Sequence, residues 1–211
     1  MKKVLHRIFG FSETEQVKES QPTHSSNQDA NQHPDLNIPK TFTELDEEFA
    51  YRLTQQGGKF IYCATHQELV ESIAAITKQW KLKNLACYEQ SIKALLSTIQ
   101  EEVQITKATI ADVFICNCES LIASDGRIMV TSIQTGYNKV CDLPEKVIVI
   151  AKTSQLVNNM GEGLTQINFR HKKNIPGQIT SIRNKNSDNS GIDRPNDKQL
   201  FILMIEDYNQ N

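Results

Sequence analysis

The chain has 211 residues and a formal net charge of −2, with 38% hydrophobic residues and a mean hydropathy of −0.45. This length allows one domain with a full hydrophobic core and is short for two. The net charge is close to neutral, and the nearest approach to a basic run, at residues 170–173, is short. The chain therefore lacks the positive surface charge that is typical of nucleic-acid-binding proteins. We also expect no membrane span, since no apolar stretch approaches about 18 residues.

The first 40 residues are predicted to be an arm that precedes the folded domain. Residues 1–11 have the pattern of a short amphipathic helix, but so short a helix is marginal, and a frayed terminus is favoured over docking to a membrane surface. Residues 12–40 are rich in Ser, Gln, Asn, Thr, Glu and Pro. Such a stretch cannot bury enough apolar surface to offset its ordering entropy. The sequence therefore predicts a disordered N-terminal arm at 1–40 and a folded domain at 41–211.

In the first half of the domain, short apolar runs alternate with amphipathic segments. Apolar residues recur every three or four positions from Phe42 to Leu53, which predicts a helix that ends at the following glycine pair. Residues 59–64 form an apolar run that is typical of a buried strand. Thr65 and Glu68 have the spacing of a capping box, which predicts a second helix. Residues 85–88 and 90–100 then predict another strand and another helix.

The second half continues with three apolar runs, at 113–118, 127–132 and 146–151, that predict strands. The connection between the last two has no helical period and is predicted to be a loop. Thr153 is predicted to cap a helix over residues 154–164. Residues 168–198 are polar and irregular, and the unbroken apolar run at 200–206 predicts a strand that is covered on both faces. The fold class predicted by this alternation is α/β, a three-layer, doubly wound, mostly parallel sheet.

The cysteines do not predict a metal centre. Four of the five lie in or beside apolar runs, where a free cysteine behaves as a small buried hydrophobe, and the odd number favours a reducing compartment, the cytoplasm. Cys116 and Cys118 lack the Cys-x-x-Cys spacing and the further ligands of zinc and iron–sulfur sites. Cys118 is the one candidate thiol nucleophile, but no histidine is placed to activate it, so a structural role is favoured.

Phosphate-binding and dinucleotide-binding motifs are absent from the sequence, as is the G-x-S-x-G nucleophile elbow, so no cofactor is predicted. The candidate site is instead the segment that follows the strand at 113–118. In an open α/β sheet, ligands collect beyond the carboxyl ends of the strands, and here Glu119, Asp125, Gly126 and Arg127 follow such an end. These four residues are the candidate ligand-binding set, and Glu119 is the candidate catalytic residue. The competing interpretation, an Asp-Gly turn with solvated neighbours, is favoured.

Two segments carry a resemblance to a known family. Residues 118–123 (CESLIA) resemble the CEYLIA segment, and residues 144–157 (PEKVIVIAKTSQLV) resemble the PPVHIVIAYTSQLV segment, of the LUD domain (lactate utilisation protein C-like) family. The resemblance covers roughly residues 41–210, and it is closest to Bacteroidota-type members. It implies a fold like that of the NagB/RpiA/CoA-transferase superfamily. It also implies a role in bacterial L-lactate oxidation alongside iron–sulfur partner proteins.

The chain departs from the family pattern at several positions. The family's Thr-Gly-Thr or Thr-Gly-Ser turn is Asp125-Gly126-Arg127 here, its histidine is Val147 and its next-loop arginine is Tyr137. We therefore expect a diverged accessory or binding component of organic-acid metabolism, with a small anionic ligand and a site that need not be catalytic. Two alternatives remain: an autonomous enzyme of the sugar-phosphate isomerase or CoA-transferase class that uses Glu119 as base or nucleophile, and an interaction module that has kept only the scaffold.

Overall fold

A computed structural model describes residues 42–99, 103–185 and 194–207 of the chain. The arm predicted at 1–40, with its short helix at 1–11, lies outside the described residues. The helices are α1 (Leu45–Gln55), α2 (His66–Gln79), α3 (Gln90–Leu96), α4 (Ser132–Thr135) and α5 (Met160–Arg170). The strands are β1 (Lys59–Cys63), β2 (Asn84–Ala86), β3 (Gln104–Thr106), β4 (Val113–Asn117), β5 (Ser120–Ile122), β6 (Arg127–Thr131), β7 (Lys146–Lys152), β8 (Leu156–Val157), β9 (Ile179–Ile182) and β10 (Gln199–Ile205).

Six of the strands form a parallel sheet in the order β1-β10-β7-β4-β2-β3. Its central strands are buried on both faces, which is why their sequences are continuously apolar: Val147 to Ala151 in β7 and Leu200 to Met204 in β10 are all buried. Helices lie on both sides of this sheet. The predicted α/β class with a mostly parallel sheet is therefore confirmed.

Alternate residues of the central strands point to two different cores. On one face, Ile115 and Ile148 pack with α2 and α3. On the other face, Phe114 and Val149 pack with Phe49 and Leu53 of α1 and with a second, smaller sheet. This small sheet has the order β8-β5-β6-β9, with β6 antiparallel to both of its neighbours. Helix α5 covers the outer face of the small sheet, where Ile167 packs against its strands.

The structure corrects the prediction around Thr153. Residues Thr153–Gln155 form a 3-10 helix, and the next two residues form β8, which pairs with β5. Helix α5 begins only at Met160, where the Asn159 side chain accepts a hydrogen bond from the Glu162 amide at 3.1 Å. Leu156 and Val157 have helical spacing relative to α5, but their pairing with Leu121 and Ile122 takes them into a sheet. Here tertiary contacts override the local periodicity.

The structure differs from the prediction in three further segments, which lie in or beside the small sheet. The run at 127–132 was predicted within the main sheet, but β6 lies in the small one. The connection after it contains α4, which Thr131 and Gln134 cap reciprocally, followed by a left-handed Gly136. The polar region at 168–198 contains the end of α5 and strand β9. Such short elements carry too few residues for a visible period.

Candidate functional site

Glu119 lies at the carboxyl end of β4, where the chain leaves the main sheet and enters the small one. Its backbone N–H donates to the Met129 carbonyl at 2.7 Å, which continues the pairing between β5 and β6. The residue as a whole is only 3% exposed. A carboxylate this deeply buried needs partners, because desolvation of an unpaired charge is very costly.

Three side chains supply the closest of those partners, and we call this set with Glu119 the Glu119 cluster; the Thr131 hydroxyl lies farther away, 3.5 Å from Glu119 Oε1. The Arg170 guanidinium donates to Glu119 Oε2 at 2.8 Å and, through its other nitrogen, to the Glu119 carbonyl oxygen at 2.7 Å. His171 Nε2 lies 3.0 Å from Oε1, and Gln134 Nε2 donates to the same oxygen at 3.0 Å. The orientation of the Gln134 amide is set by Thr131, whose backbone N–H donates to Gln134 Oε1 at 2.8 Å.

The Glu119 cluster joins three elements that are far apart in sequence: the strand end at Glu119, the short helix α4 and the last turn of α5. Both carboxylate oxygens are engaged, and the group is shielded from solvent. A general base or nucleophile must reach its substrate directly or through one water. The geometry of Glu119 is therefore that of a structural anchor.

The other three candidate residues lie elsewhere. Ile122 pairs with Arg127 at the turn end of the β5/β6 hairpin, and Ser120 pairs with Met129. Glu119 is thus three residues from the turn end, a separation of about 10 Å at the usual rise along a strand. Arg127 Nε contacts Asp125 Oδ2 at 3.0 Å, so its carboxylate partner is Asp125 and not Glu119. The structure does not bring the four residues into one cleft.

The Asp125-Gly126-Arg127 turn instead packs on helix α1. Gln56 Nε2 donates to the Asp125 carbonyl at 2.8 Å. Gly126 has a φ of +64°, and a Cβ added there would lie 2.7 Å from the backbone nitrogen of Leu53. Glycine is required here both by the left-handed conformation and by the close approach of the α1 backbone. This contact supports the interpretation of the segment as a turn.

A pocket of about 540 Å³ lies beside the Glu119 cluster, between the carboxyl end of β7 and helix α5. We call it the Arg170 pocket. Two cations, Lys152 and Arg170, line it, and none of its lining residues is acidic. The remaining lining residues are four polar ones and one aromatic: Ser154, Gln155, Thr165, Gln166 and Phe169.

Sequence reasoning missed the residues that form this pocket. In sequence, Arg170 and His171 belong to a short basic run, and their partner Glu119 is 51 and 52 residues away. The sequence predicts the Thr153-Ser154-Gln155 segment as the start of a helix and as part of the family resemblance, and not as a site, although it follows the carboxyl end of a central strand. That position is where ligands collect in open α/β sheets. The same rule that selected Glu119 would also have selected Ser154 and Gln155.

The cysteines are all unpaired, and four of the five are buried. Burial raises the pKa of Cys87 to about 11, and burial together with the neighbouring Glu119 raises the pKa of Cys118 further. A thiol is nucleophilic only as the thiolate, so neither side chain is activated. Across residues 42–99, 103–185 and 194–207, no group of three or more His, Cys, Asp or Glu side chains is arranged to hold a metal ion.

We predict that thiol reagents distinguish Cys141 from the other four cysteines. Cys141 is exposed, so one thiol per molecule should react with a disulfide reagent at pH 8 in the native protein, and all five should react in denaturant. The measurement is the absorbance of the released chromophore, with Cys141→Ser as the control that should abolish the native reaction. Rapid native labelling of Cys118 in the Cys141→Ser variant would contradict the burial described above.

Comparison with known proteins agrees with this architecture. Residues 47–200 match the LUD domain family, so the chain belongs to that family, which is related to the lactate utilisation proteins. A search among curated proteins finds no match. Among solved structures, the chain is similar to a DUF162 family protein from Deinococcus radiodurans, with 15% sequence identity, a TM-score of 0.56, and coverage of 77% of this chain and 96% of that one. This likeness concerns the fold. In addition, none of the described helices has the length and apolar character needed to cross a membrane.

Proposed function

We propose that the protein is a binding component of organic-acid metabolism that holds an organic anion in the Arg170 pocket. The observation that carries the proposal is the presence of two cations in a pocket whose lining has no acidic side chain. Arginine suits this task because its planar guanidinium binds carboxylates and phosphates through several N–H groups. The place of the pocket, at the carboxyl end of a central parallel strand, is where such folds bind their ligands.

The order of the Arg170 side chain adds to this case. Its contacts with Glu119, together with a hydrogen bond from Arg170 Nη2 to Gln166 Oε1 at 3.0 Å, hold the guanidinium in one place at the pocket wall. A cation that is already ordered loses less conformational entropy when an anion binds. Because the Arg170 side chain is still 36% exposed, the guanidinium remains accessible from the pocket.

The burial of Glu119 counts against the alternative of an autonomous enzyme that uses this residue as base or nucleophile. Its closest partners are the side chains of Gln134, Arg170 and His171, and both of its oxygens are engaged by them. The third alternative, a scaffold that binds no ligand, is distinguished by titration. The unpaired cysteines support a reducing compartment, the cytoplasm, and iron–sulfur partner proteins belong to the proposal through the family relationship alone.

Calorimetric titration with a panel of organic anions, namely lactate, pyruvate, gluconate and ribose 5-phosphate, tests the proposal. We expect at least one of them to bind, and Lys152→Gln to weaken its binding by about tenfold, since a charge-assisted hydrogen bond is lost. The matched control is Lys78→Gln, which removes the same charge from helix α2 outside the pocket lining and should leave binding unchanged. No heat with any anion would support the scaffold interpretation. Turnover of a panel member that Glu119→Gln abolishes, in a folded protein, would support the enzyme.

A further inference from the structure

Two hydroxyl groups line the Arg170 pocket, and each of them already donates its proton in a hydrogen bond to another group of the protein. Ser154 Oγ donates to Asp207 Oδ2 at 2.6 Å. Thr165 Oγ1 donates to the Gly161 carbonyl at 2.9 Å. A hydroxyl has one proton and two lone pairs, so both groups can offer a ligand only a hydrogen-bond acceptor.

The direction of the Ser154 hydrogen bond follows from the state of Asp207. Burial acts to raise the pKa of Asp207, but the hydrogen bonds from Ser154 and Thr153 outweigh it and lower that pKa below its ordinary value. The group is therefore a carboxylate at neutral pH and can only accept. Its Oδ1 receives hydrogen bonds from Thr153 Oγ1 at 2.8 Å and from the Ser154 backbone N–H at 3.0 Å, so the carboxylate is fixed in place.

The charges around the pocket are close to balanced. Glu119 forms an ion pair with Arg170, and Asp207 lies near enough to Lys152 for the lysine to lower the pKa of the Asp207 carboxyl. A bare anion therefore gains only part of the attraction that two free cations would provide. Further affinity has to come from the ligand's own hydrogen-bond donors, which the acceptor-only hydroxyls of Ser154 and Thr165 would receive.

The volume of the pocket also favours a ligand that is larger than a three-carbon acid. At about 540 Å³ it falls within the range of about 300–1,000 Å³ that is typical of pockets for drug-sized ligands. A three-carbon acid would leave most of this space to water. A longer chain that carries several hydroxyl groups would reach both cations and both acceptor hydroxyls, with its C–H groups against the exposed ring of Phe169.

We propose that the ligand of the Arg170 pocket is a polyhydroxylated organic anion, that Ser154 selects for its hydroxyl groups, and that Asp207 acts as the positioning residue for Ser154. This inference rests on the proposed function, which supplies the pocket and the anion. Either a carboxylate, as in a sugar acid, or a phosphate, as in a sugar phosphate, provides the charge. The two sources share the same chemistry, an anionic end and a chain of hydroxyl donors.

The first experiment compares ligands that differ in their donors. Gluconate is titrated beside (2-methoxyethoxy)acetate, a polyether carboxylate of similar length that accepts hydrogen bonds but donates none. Ribose 5-phosphate, titrated beside 2-deoxyribose 5-phosphate, tests the phosphate source. In the wild type we expect gluconate to bind at least about tenfold more tightly than the polyether, because two neutral hydrogen bonds are gained. Ribose 5-phosphate, which has one hydroxyl more than its 2-deoxy form, should bind about threefold more tightly. Ser154→Ala should weaken gluconate binding by about three- to tenfold and leave the polyether unchanged.

The Asp207→Asn variant tests whether Ser154 selects for the hydroxyl groups of the ligand or only maintains the structure of the pocket. Because Oδ1 is held as an acceptor by two donors, the amide nitrogen of an asparagine would take the place of Oδ2 and donate to Ser154 Oγ. The Ser154 proton would then be free to point into the pocket. We expect the polyether to gain about threefold or more in affinity in Asp207→Asn, and not in Ser154→Ala, while gluconate loses affinity in both variants.

Each outcome bears on one of the two proposals. If the wild type bound gluconate and the polyether equally, and likewise ribose 5-phosphate and its 2-deoxy form, the inference would be overturned and the anion pocket would stand. An equal loss of affinity for gluconate and for the polyether in Ser154→Ala would also overturn the inference and leave the anion pocket standing. If no anion binds at all, or if Lys152→Gln has no effect on the binding observed, the proposed function itself fails and the inference fails with it.

Discussion

Replacing Gly126 by alanine should destabilise the protein by about 2–5 kcal/mol. The residue has a φ of +64°, and the left-handed conformation costs a residue with a Cβ about 1–2 kcal/mol. The new methyl group would also lie 2.7 Å from the Leu53 nitrogen and 2.9 Å from the Arg52 carbonyl carbon, which are backbone atoms of helix α1 and cannot rotate away. Such overpacking costs about 1–3 kcal/mol more. The measurement is urea unfolding followed by far-UV circular dichroism.

Two control variants accompany this measurement. A Cβ at Gly177 would have nothing within 4 Å, so Gly177→Ala should leave the free energy of unfolding nearly unchanged. Arg127→Ala removes a partly exposed ion pair with Asp125 and should cost no more than about 0.5–1 kcal/mol. If Gly126→Ala were as stable as Gly177→Ala, the turn would not pack on α1 as described. The Asp125-Gly126-Arg127 segment would then again be a candidate ligand-binding site.

Replacing Glu119 by alanine should cost about 3–5 kcal/mol, the loss that is usual when one partner of a buried ion pair is removed. Arg170, His171 and Gln134 would all lose a hydrogen-bond acceptor, and α4 and α5 would lose their common attachment to the strand end. Because the Arg170 side chain is 36% exposed, water relieves part of the cost, and we expect the lower half of this range. Unfolding in urea measures the effect.

Glu71 offers a matched control, because it is an exposed glutamate in α2 whose side chain accepts a hydrogen bond from Gln67. Glu71→Ala should change stability by no more than about 0.5 kcal/mol. Glu119→Gln keeps the shape and one acceptor oxygen and should fall between the wild type and Glu119→Ala. A fully stable Glu119→Ala protein would mean that the carboxylate is not an anchor, and catalytic use of Glu119 would become the better explanation for its presence.

The parts of the fold that could be predicted from sequence are those that local patterns determine. The central strands are continuously apolar because both of their faces are covered, and the Thr65 cap of α2 is visible in its spacing to Glu68; in the structure the Thr65 hydroxyl accepts from the Glu68 amide at 3.2 Å. Strand β8 could not be predicted in this way. Two residues have no period of their own, and only the pairing with β5 makes them a strand.

The candidate site was predictable in its location and not in its chemistry. The rule that ligands collect at the carboxyl ends of parallel strands selected the edge of the sheet where Glu119 lies, and the Arg170 pocket that we propose as the site lies beside it. The partners of Glu119 come from the last turn of α5, and the sequence does not show that this helix folds back over the small sheet. A carboxylate that looks available in sequence is therefore buried, and an arginine that looks like part of a surface run lines the pocket.

The position of β10 has a consequence for the newly made chain. Among the described strands, β1 pairs with β10 and with no other, and β10 also pairs with β7, so the last described strand lies between the first one and the rest of the sheet. While the ribosome is still translating residues 60–198, β1 has no neighbour to pair with, and Phe201 and Leu203 are missing from the core beneath α2. The parallel sheet can close only after β10 emerges. Until then, the apolar edges of β1 and β7 are exposed to chaperones and to aggregation.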